Sequence, residues 1–374
     1  MSCAAVSIDF VRLVAEQRVI VCCGTGGVGK TTSAAALGVL AARQGRRALV
    51  MTIDPAKRLA QAMGLNDLDN DPQTVAVDAS GALSAMMLDT KRTFDQMIET
   101  YAPSERIRDT IFENSYYQQL SSSLGGSREL IAMERVLEII TAGEFDLLIV
   151  DTPPAQHALD FLDAPQRLID LLDGSLTRML IAPYGVAARV QFNFFRQSSA
   201  AALKFMERLS GVEMLADLSN FLLAFSSMFD GLKSRSAKVM ELMNESTTSF
   251  LLICAPEPVS LGQVNQFAER LEREQIAISG VLVNRVHPRV AGDSLTSDDI
   301  RILDEVAADS TAGRRFSQRV SDAVAEARAL ADADAHALAA LKLSAHPSLS
   351  IPHFNRDLHS LDDLAEFAEI LAGR

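Results

Sequence analysis

The sequence predicts an α/β fold in which a doubly wound, mainly parallel sheet carries an inserted α-helical subdomain. Three observations lead there. Short apolar runs, too brief for buried helices, alternate with helical patterns along the chain. Two of those runs stop at an aspartate followed closely by proline, Asp54-Pro55 and Asp151-Thr152-Pro153. Between them and the next pair of runs lies a long stretch with helical spacing and no strand signal. A length of 374 residues suits one large domain with an insertion, or two ordinary domains.

Taken in order, residues 18–23 (RVIVCC) form a buried strand that ends at glycines, and the alanine-rich residues 31–43 form the helix after it. Residues 48–53 make a second strand, followed by a short helix over 56–63. A third strand spans 145–150, and two more, 250–254 and 277–283, flank a helix over roughly 261–274. Between 161 and 243 apolar side chains, among them Leu203, Met206, Phe221, Phe225, Met228 and Leu232, recur at three-to-four spacing. The expected division is therefore a sheet domain from 1–160 and 246–374, with a helical subdomain at 161–245. The strand-poor residues 84–124 join that subdomain in this reading. The alanine-rich, acid-dotted stretch 317–343 reads as a solvated surface helix.

Composition narrows the function. Apolar residues at 48% and charged residues at 22% are ordinary for globular proteins and exclude a disordered or fibrous chain. A net charge of −13, from 35 basic and 48 acidic side chains, argues against nucleic acid as the main partner. Cys3, Cys22, Cys23 and Cys254 include no CxxC pair, which points to a reducing, cytoplasmic setting. No segment reaches the roughly 20 apolar residues of a membrane helix, and residues 1–16 lack a basic cluster ahead of an apolar run. Neither export nor a transmembrane segment is expected.

The chemistry concentrates in Gly24-Thr25-Gly26-Gly27-Val28-Gly29-Lys30-Thr31, which satisfies G-x-x-x-x-G-K-[ST] between a strand and a helix N-terminus. The backbone N–H groups of Gly26 through Thr32 would turn around phosphate oxygens, with the helix dipole favouring their charge. Lys30 would reach the β- and γ-phosphates, and the Thr31 hydroxyl would ligate Mg²⁺. Asp151 then reads as the second Mg²⁺ partner, through water. Gly24, Gly26 and Gly29 also fit the dinucleotide fingerprint G-x-G-x-x-G, with Asp54 at the next strand end. That rival has no use for Lys30-Thr31 or for a third strand delivering Asp151. For Asp54 two roles stand open: orienting a water in line with the γ-phosphorus, or capping the helix that follows.

GTGGVGKTT (24–32), TIDPAKRLA (52–60), DTPPAQHALDFL (151–162), PEPVSL (256–261) and LVNRV (282–286) together resemble the ArsA-like P-loop ATPases. That family includes arsenite-pump ATPases and the guided-entry ATPases that carry tail-anchored membrane proteins. More narrowly, the chain is similar to actinobacterial anion-transporting ATPase-like proteins. The resemblance implies an ATP- and Mg²⁺-dependent P-loop nucleoside triphosphatase working as a dimer. It makes Asp54 the switch I aspartate that activates the attacking water, and Asp151-Thr152 the start of switch II, which includes His157. It also implies that Asn284 hydrogen-bonds adenine and that Pro352, in SIPHF, lies in the loop beside the base.

The sequence departs from the family in ways that matter. Members usually carry, where this chain has Thr25, a signature lysine that crosses to the partner's nucleotide. Threonine brings no charge, so hydrolysis is expected to be slow, or to need a partner chain that supplies its own lysine. Lys57 offers a replacement charge or is a solvated helix residue. No cysteine occurs from Gly24 to Ile253, which disfavours a thiolate metalloid site, and the zinc-binding CxxC of guided-entry dimers is also missing. Seven phenylalanines from Phe192 to Phe229, with Met206, Met214 and Met228, either line a groove for a hydrophobic client protein or form an ordinary helical core. The expected partners are thus ATP/ADP, a second copy or a paralogous ATPase in a homodimer or heterodimer, and a hydrophobic client. The alternative to a competent ATPase is a slow, nucleotide-gated subunit of a complex with that paralogue.

Overall fold

The computed structural model describes residues 8–54, 56–115, 117–118, 127–153, 170, 221, 223–289, 298, 301–302, 311–339 and 346–373. In chain order the strands are β1 (Val19–Gly24), β2 (Arg47–Thr52), β3 (Gln73–Val75), β4 (Ala82–Met87), β5 (Leu147–Asp151), β6 (Thr248–Cys254), β7 (Ile278–Val286) and β8 (Ser348–Pro352). The helices are α1 (Phe10–Glu16), α2 (Lys30–Arg43), α3 (Arg58–Ala62), α4 (Thr90–Tyr101), α5 (Glu105–Phe112), α6 (Ser127–Ala142), α7 (Phe229–Asn244), α8 (Pro258–Arg273), α9 (Thr311–Ala339) and α10 (Leu361–Leu371). The strands join in one sheet, ordered β3-β4-β2-β5-β1-β6-β7-β8. Every neighbouring pair is parallel except β3 with β4.

Burial explains why the central strands read as unbroken apolar runs. Every residue of β1, β5 and β6 is buried, as a parallel sheet covered on both faces requires. Successive side chains still point to opposite faces. Val19, Val21 and Cys23 of β1 join a core with Phe94 of α4, Val136 of α6, Val239 of α7 and Phe267 of α8. Ile20 and Cys22 join the other core, with Phe10 of α1, Leu37 of α2 and Phe367 of α10. Helix α2 is buried from Ser33 through Ala42, which its small side chains permit because they let it lie close to the sheet. Helix α10 opens on a capping box in which Ser360 and Asp363 satisfy each other's backbone N–H groups. That cap fixes the loop leading into the helix.

The expected strands and helices form with shifted ends. Helix α8 begins at Pro258, which occupies its first turn, so it starts earlier than expected. Helix α3 covers only Arg58–Ala62, and α9 runs from Thr311 to Ala339. One expectation needs correction: residues 84–87 belong to the sheet, because β4 pairs in parallel with β2 along its whole length. Its ALSAMM sequence lies near the sheet edge, half buried, and lacks the continuous apolar signal of the central strands. Within 161–245 the described residues are 170, 221 and 223–245. Phe221, Met228 and Leu232 are buried in the main core, so for these three side chains the core reading holds. His157, Phe192, Phe194, Phe195, Phe205, Met206 and Met214 lie outside the described residues. No described helix is long and apolar enough to cross a membrane.

Candidate functional site

At the carboxyl edge of the sheet, β1 runs into the glycine loop and the loop into α2. Gly29 is the N-cap of α2 at φ 93°, a left-handed conformation. A Cβ there would stand 2.3 Å from Asn284 Nδ2, so only glycine fits. Asn284, near the end of β7, donates from Nδ2 to the Val28 carbonyl at 2.8 Å and accepts from Arg285 N–H at 2.9 Å. The loop is thereby held from the side of a strand far away in sequence.

Lys30 and Thr31 open α2 directly beneath this loop. The Lys30 ammonium donates to the Thr25 carbonyl at 2.8 Å, and the residue as a whole is only 8% exposed. Burial lowers its pKa, opposed chiefly by the charge of Asp151. Thr31 Oγ1 donates to Asp151 Oδ2 at 2.7 Å, and Thr52 Oγ1 donates to the same oxygen at 3.0 Å. Asp151 is 1% exposed, and its Oδ1 has no hydrogen-bond partner among the described residues. Burial pushes its pKa up to about 6, in spite of the two threonine hydroxyls and the Lys30 charge. An ionised carboxylate with one dry, unpartnered oxygen is costly, and a divalent cation or its water is the kind of group that satisfies it. The residues present therefore fit a Mg²⁺ site reached through Thr31 and Asp151.

Asp54 follows β2 and is tied to the same network. Its N–H donates to Thr52 Oγ1 at 3.2 Å, and its Oδ1 accepts from Ala56 N–H at 3.0 Å. The N-cap of α3 is Lys57, so the carboxylate closes a local turn and does not cap the helix. Thr52 therefore links Asp54 to Asp151, and Asp151 to Thr31. Lys57 points elsewhere, pairing in the open with Asp67 at 2.8 Å. It behaves as a solvated helix residue.

These groups border a cavity of about 1190 Å³. Gly26, Gly27, Gly29, Lys30, Thr31, Thr32, Asp54 and Asn284 all line it. Val28 is buried, and Asp151 lies buried beside Thr31 and Thr52. Pro352 is an exposed residue ending β8 and is not part of the lining; residues 353–359, immediately after it, are. The expected contribution of that loop thus shifts from Pro352 to its successors, because the proline is still paired in register with Val286. Lys30, Arg58, Arg285 and Arg356 bring four cationic groups to the lining against the carboxylates of Asp54 and Asp357. Arg356 is paired with Asp363 and Glu366, which leaves Lys30, Arg58 and Arg285 as the cationic lining groups that favour an anion in a chain of net charge −13. One wall is stiffened by His353, stacked on His287 at 4.9 Å, while His287 N–H and Nδ1 both meet Asp334 Oδ2 of α9, at 2.7 and 2.9 Å.

Sequence reasoning missed several of these residues. Arg58 and Arg285 sit inside the recognised stretches TIDPAKRLA and LVNRV and were within reach. Thr52 opens the first of these stretches, but its bond to Asp151 was not within reach, since a hydroxyl announces nothing until its partner is known.

The Thr31 to Asp151 hydrogen bond sets a hydroxyl at the start of α2 beside the carboxylate that ends β5, a pairing that a dinucleotide site leaves without a purpose. A model of the anion-transporting ATPase family matches residues 17–298. The chain belongs to the anion-transporting ATPase family. It is an ATP hydrolase by that membership, built on the α/β sheet described above. Among curated relatives it is similar to the ATPase ASNA1 homolog of Cryptosporidium parvum, 24% identical over 307 residues, covering 79% of this chain and 75% of the relative. Similarity to ATPase GET3 of Malassezia globosa is 25% over 268 residues, covering 71% and 72%. ATPase ARSA2 of Chlamydomonas reinhardtii is 26% identical over 279 residues, covering 74% and 70%.

Proposed function

We propose that this ATPase is Mg²⁺-dependent and couples ATP binding and hydrolysis to movement of its helical subdomain in order to handle a client or partner protein. The observation that carries the proposal is the chain of hydrogen bonds from Asp54 through Thr52 and Asp151 to Thr31. It joins the segment after β2, the end of β5 and the start of α2, so a change at the phosphate end reaches two other segments of the sheet edge. Lys30 and the loop amides would hold the phosphates, while Thr31 and Asp151 would hold Mg²⁺, Asp151 through water. When bound, that ion neutralises charge on the β- and γ-phosphate oxygens. Asp54 lies at the cavity wall, where a carboxylate can orient a water. Asn284 is committed to Val28 and so supports the loop as well as facing the cavity. ATP and ADP would be the ligands, and a homodimer or a heterodimer with a paralogous ATPase the working form. The resemblance of the sequence motifs to the guided-entry ATPases favours a hydrophobic protein as the client.

Asp54→Asn keeps the shape and removes the charge. We expect it to bind Mg-ATP as the parent does and to lose turnover by about 100-fold or more. Calorimetric titration alongside steady-state phosphate release checks both halves. Retained turnover removes Asp54 from the mechanism.

A second reading, a slow nucleotide-gated subunit, draws support from Thr25. Its side chain is buried and turned to Ser260, so this position offers no outward charge to a partner. Phosphate release by the chain alone, and then mixed with a paralogue carrying the lysine, separates the two. Activity in the mixture only would favour the subunit.

A further inference from the structure

We propose that Ser260 is a positioning residue for the phosphate loop, acting through Thr25; the inference rests on the nucleotide-site reading above. Thr25 Oγ1 and Ser260 Oγ lie 2.9 Å apart, and both residues are buried, at 8% and 3% exposure. Ser260 stands in the first turn of α8, and its Oγ also accepts from Ala255 N–H at 3.1 Å. The serine hydroxyl is therefore fixed at the junction of β6 and α8 before it meets the threonine. On the other side of the same residue, the Thr25 carbonyl receives the Lys30 ammonium at 2.8 Å. Thr25 is thus gripped twice: its side chain by α8, its carbonyl by the lysine that opens α2.

Two consequences follow from this arrangement. The position where relatives are expected to carry an outward lysine is used here in the opposite direction, as an internal anchor. The loop is also ordered before any nucleotide arrives, because its first residue after Gly24 cannot swing without breaking a buried hydroxyl pair. Ordering a binding loop in advance lowers the entropic cost of binding without touching the chemical step. Losing one such bond in a buried place should weaken binding by about 3- to 10-fold.

The test compares the full-length parent with Thr25→Val, Thr25→Ser, Ser260→Ala and the double variant Thr25→Val/Ser260→Ala. Mg-ATP affinity is measured by calorimetry, and KM and kcat by phosphate release. Thr25→Val and Ser260→Ala should each raise Kd and KM by about 3- to 10-fold with kcat changed less than about twofold. Thr25→Ser keeps the hydroxyl and should stay within about twofold of the parent. The double variant should be no worse than the poorer single, since both remove one interaction. Unchanged binding in the two singles, a Thr25→Ser as poor as Thr25→Val, or multiplied losses in the double would overturn the proposal. If Ser260→Ala does not fold, the comparison of Thr25→Val with Thr25→Ser decides alone. A parent that takes up no Mg-ATP would overturn the site reading and this inference together.

Discussion

At the residue scale, burial of Asp151 sets a cost on its ionised form. Its pKa rises from 3.8 to about 6, with burial as the main cause. Two pKa units correspond to about 3 kcal/mol of penalty on the ionised form. Because the folded state holds this proton more tightly than the unfolded state, the stabilising contribution is full below about pH 4 and is lost as pH rises to about 6, staying lost above. Asp151→Asn has no such titration. In chelator without nucleotide, it should melt above the parent at pH 7 to 8, by an amount worth about 1–3 kcal/mol, and the difference should shrink toward pH 4. Melting curves across that range check the sign; a variant less stable than the parent at pH 7 would show that the carboxylate is stabilising as it stands. The phosphate loop and Asp151 were legible in the sequence because glycine spacing and strand-end acids are local signals. The pairing of Ser260 with Thr25, 235 residues apart, was not.

At the scale of the element, α2 shows two opposing effects of comparable size. Gly38 lies mid-helix, where alanine would gain about 1 kcal/mol of helix propensity. Its added methyl would, however, stand 2.7 Å from Val50 Cγ2 and 2.8 Å from Leu83 Cδ1, both on the sheet beneath. Those side chains are fully buried and have little room to give, so an overpacking cost of about 1–3 kcal/mol should win. Gly38→Ala is therefore expected to destabilise by up to about 2 kcal/mol net, seen as a lower urea midpoint at unchanged slope. A higher midpoint would mean that the helix can rise off the sheet. The same close packing is why residues 31–43 read clearly as a helix, and why the central strands read as continuous apolar runs. β3, β4 and β8 escaped notice because the edge strands β3 and β8 are short and β4, one strand in from the edge, is only partly buried, so all three carry a diluted pattern. Helix α9, anchored to the cavity wall by Asp334, was read as a solvated face because a single buried carboxylate leaves no periodic trace.

Across the whole molecule, the site sits where both cores and three sheet segments converge, so occupancy should be felt as global stability. The glycine loop leads into α2, which Lys30 and Thr31 open and whose Leu37 enters one core; Asp151 ends β5, whose Leu148 and Val150 enter the other. A ligand that binds only the folded chain adds about 2.7 kcal/mol at a concentration of 100 times its Kd. For a chain of 374 residues that corresponds to a rise in Tm of only about 3–5 °C, because the unfolding entropy is large. Mg-ATP should produce this shift in the parent and in Asp54→Asn, whose binding groups are intact. Lys30→Ala should lose most of it, since its ammonium is the one cation placed at the start of the helix beneath the loop. Differential scanning fluorimetry of the three proteins, with ADP and chelator as controls, separates binding from turnover without measuring either rate. An equal shift in Lys30→Ala would mean that the nucleotide binds elsewhere on the chain, and a shift missing from Asp54→Asn alone would make that aspartate a binding residue rather than one that acts on water.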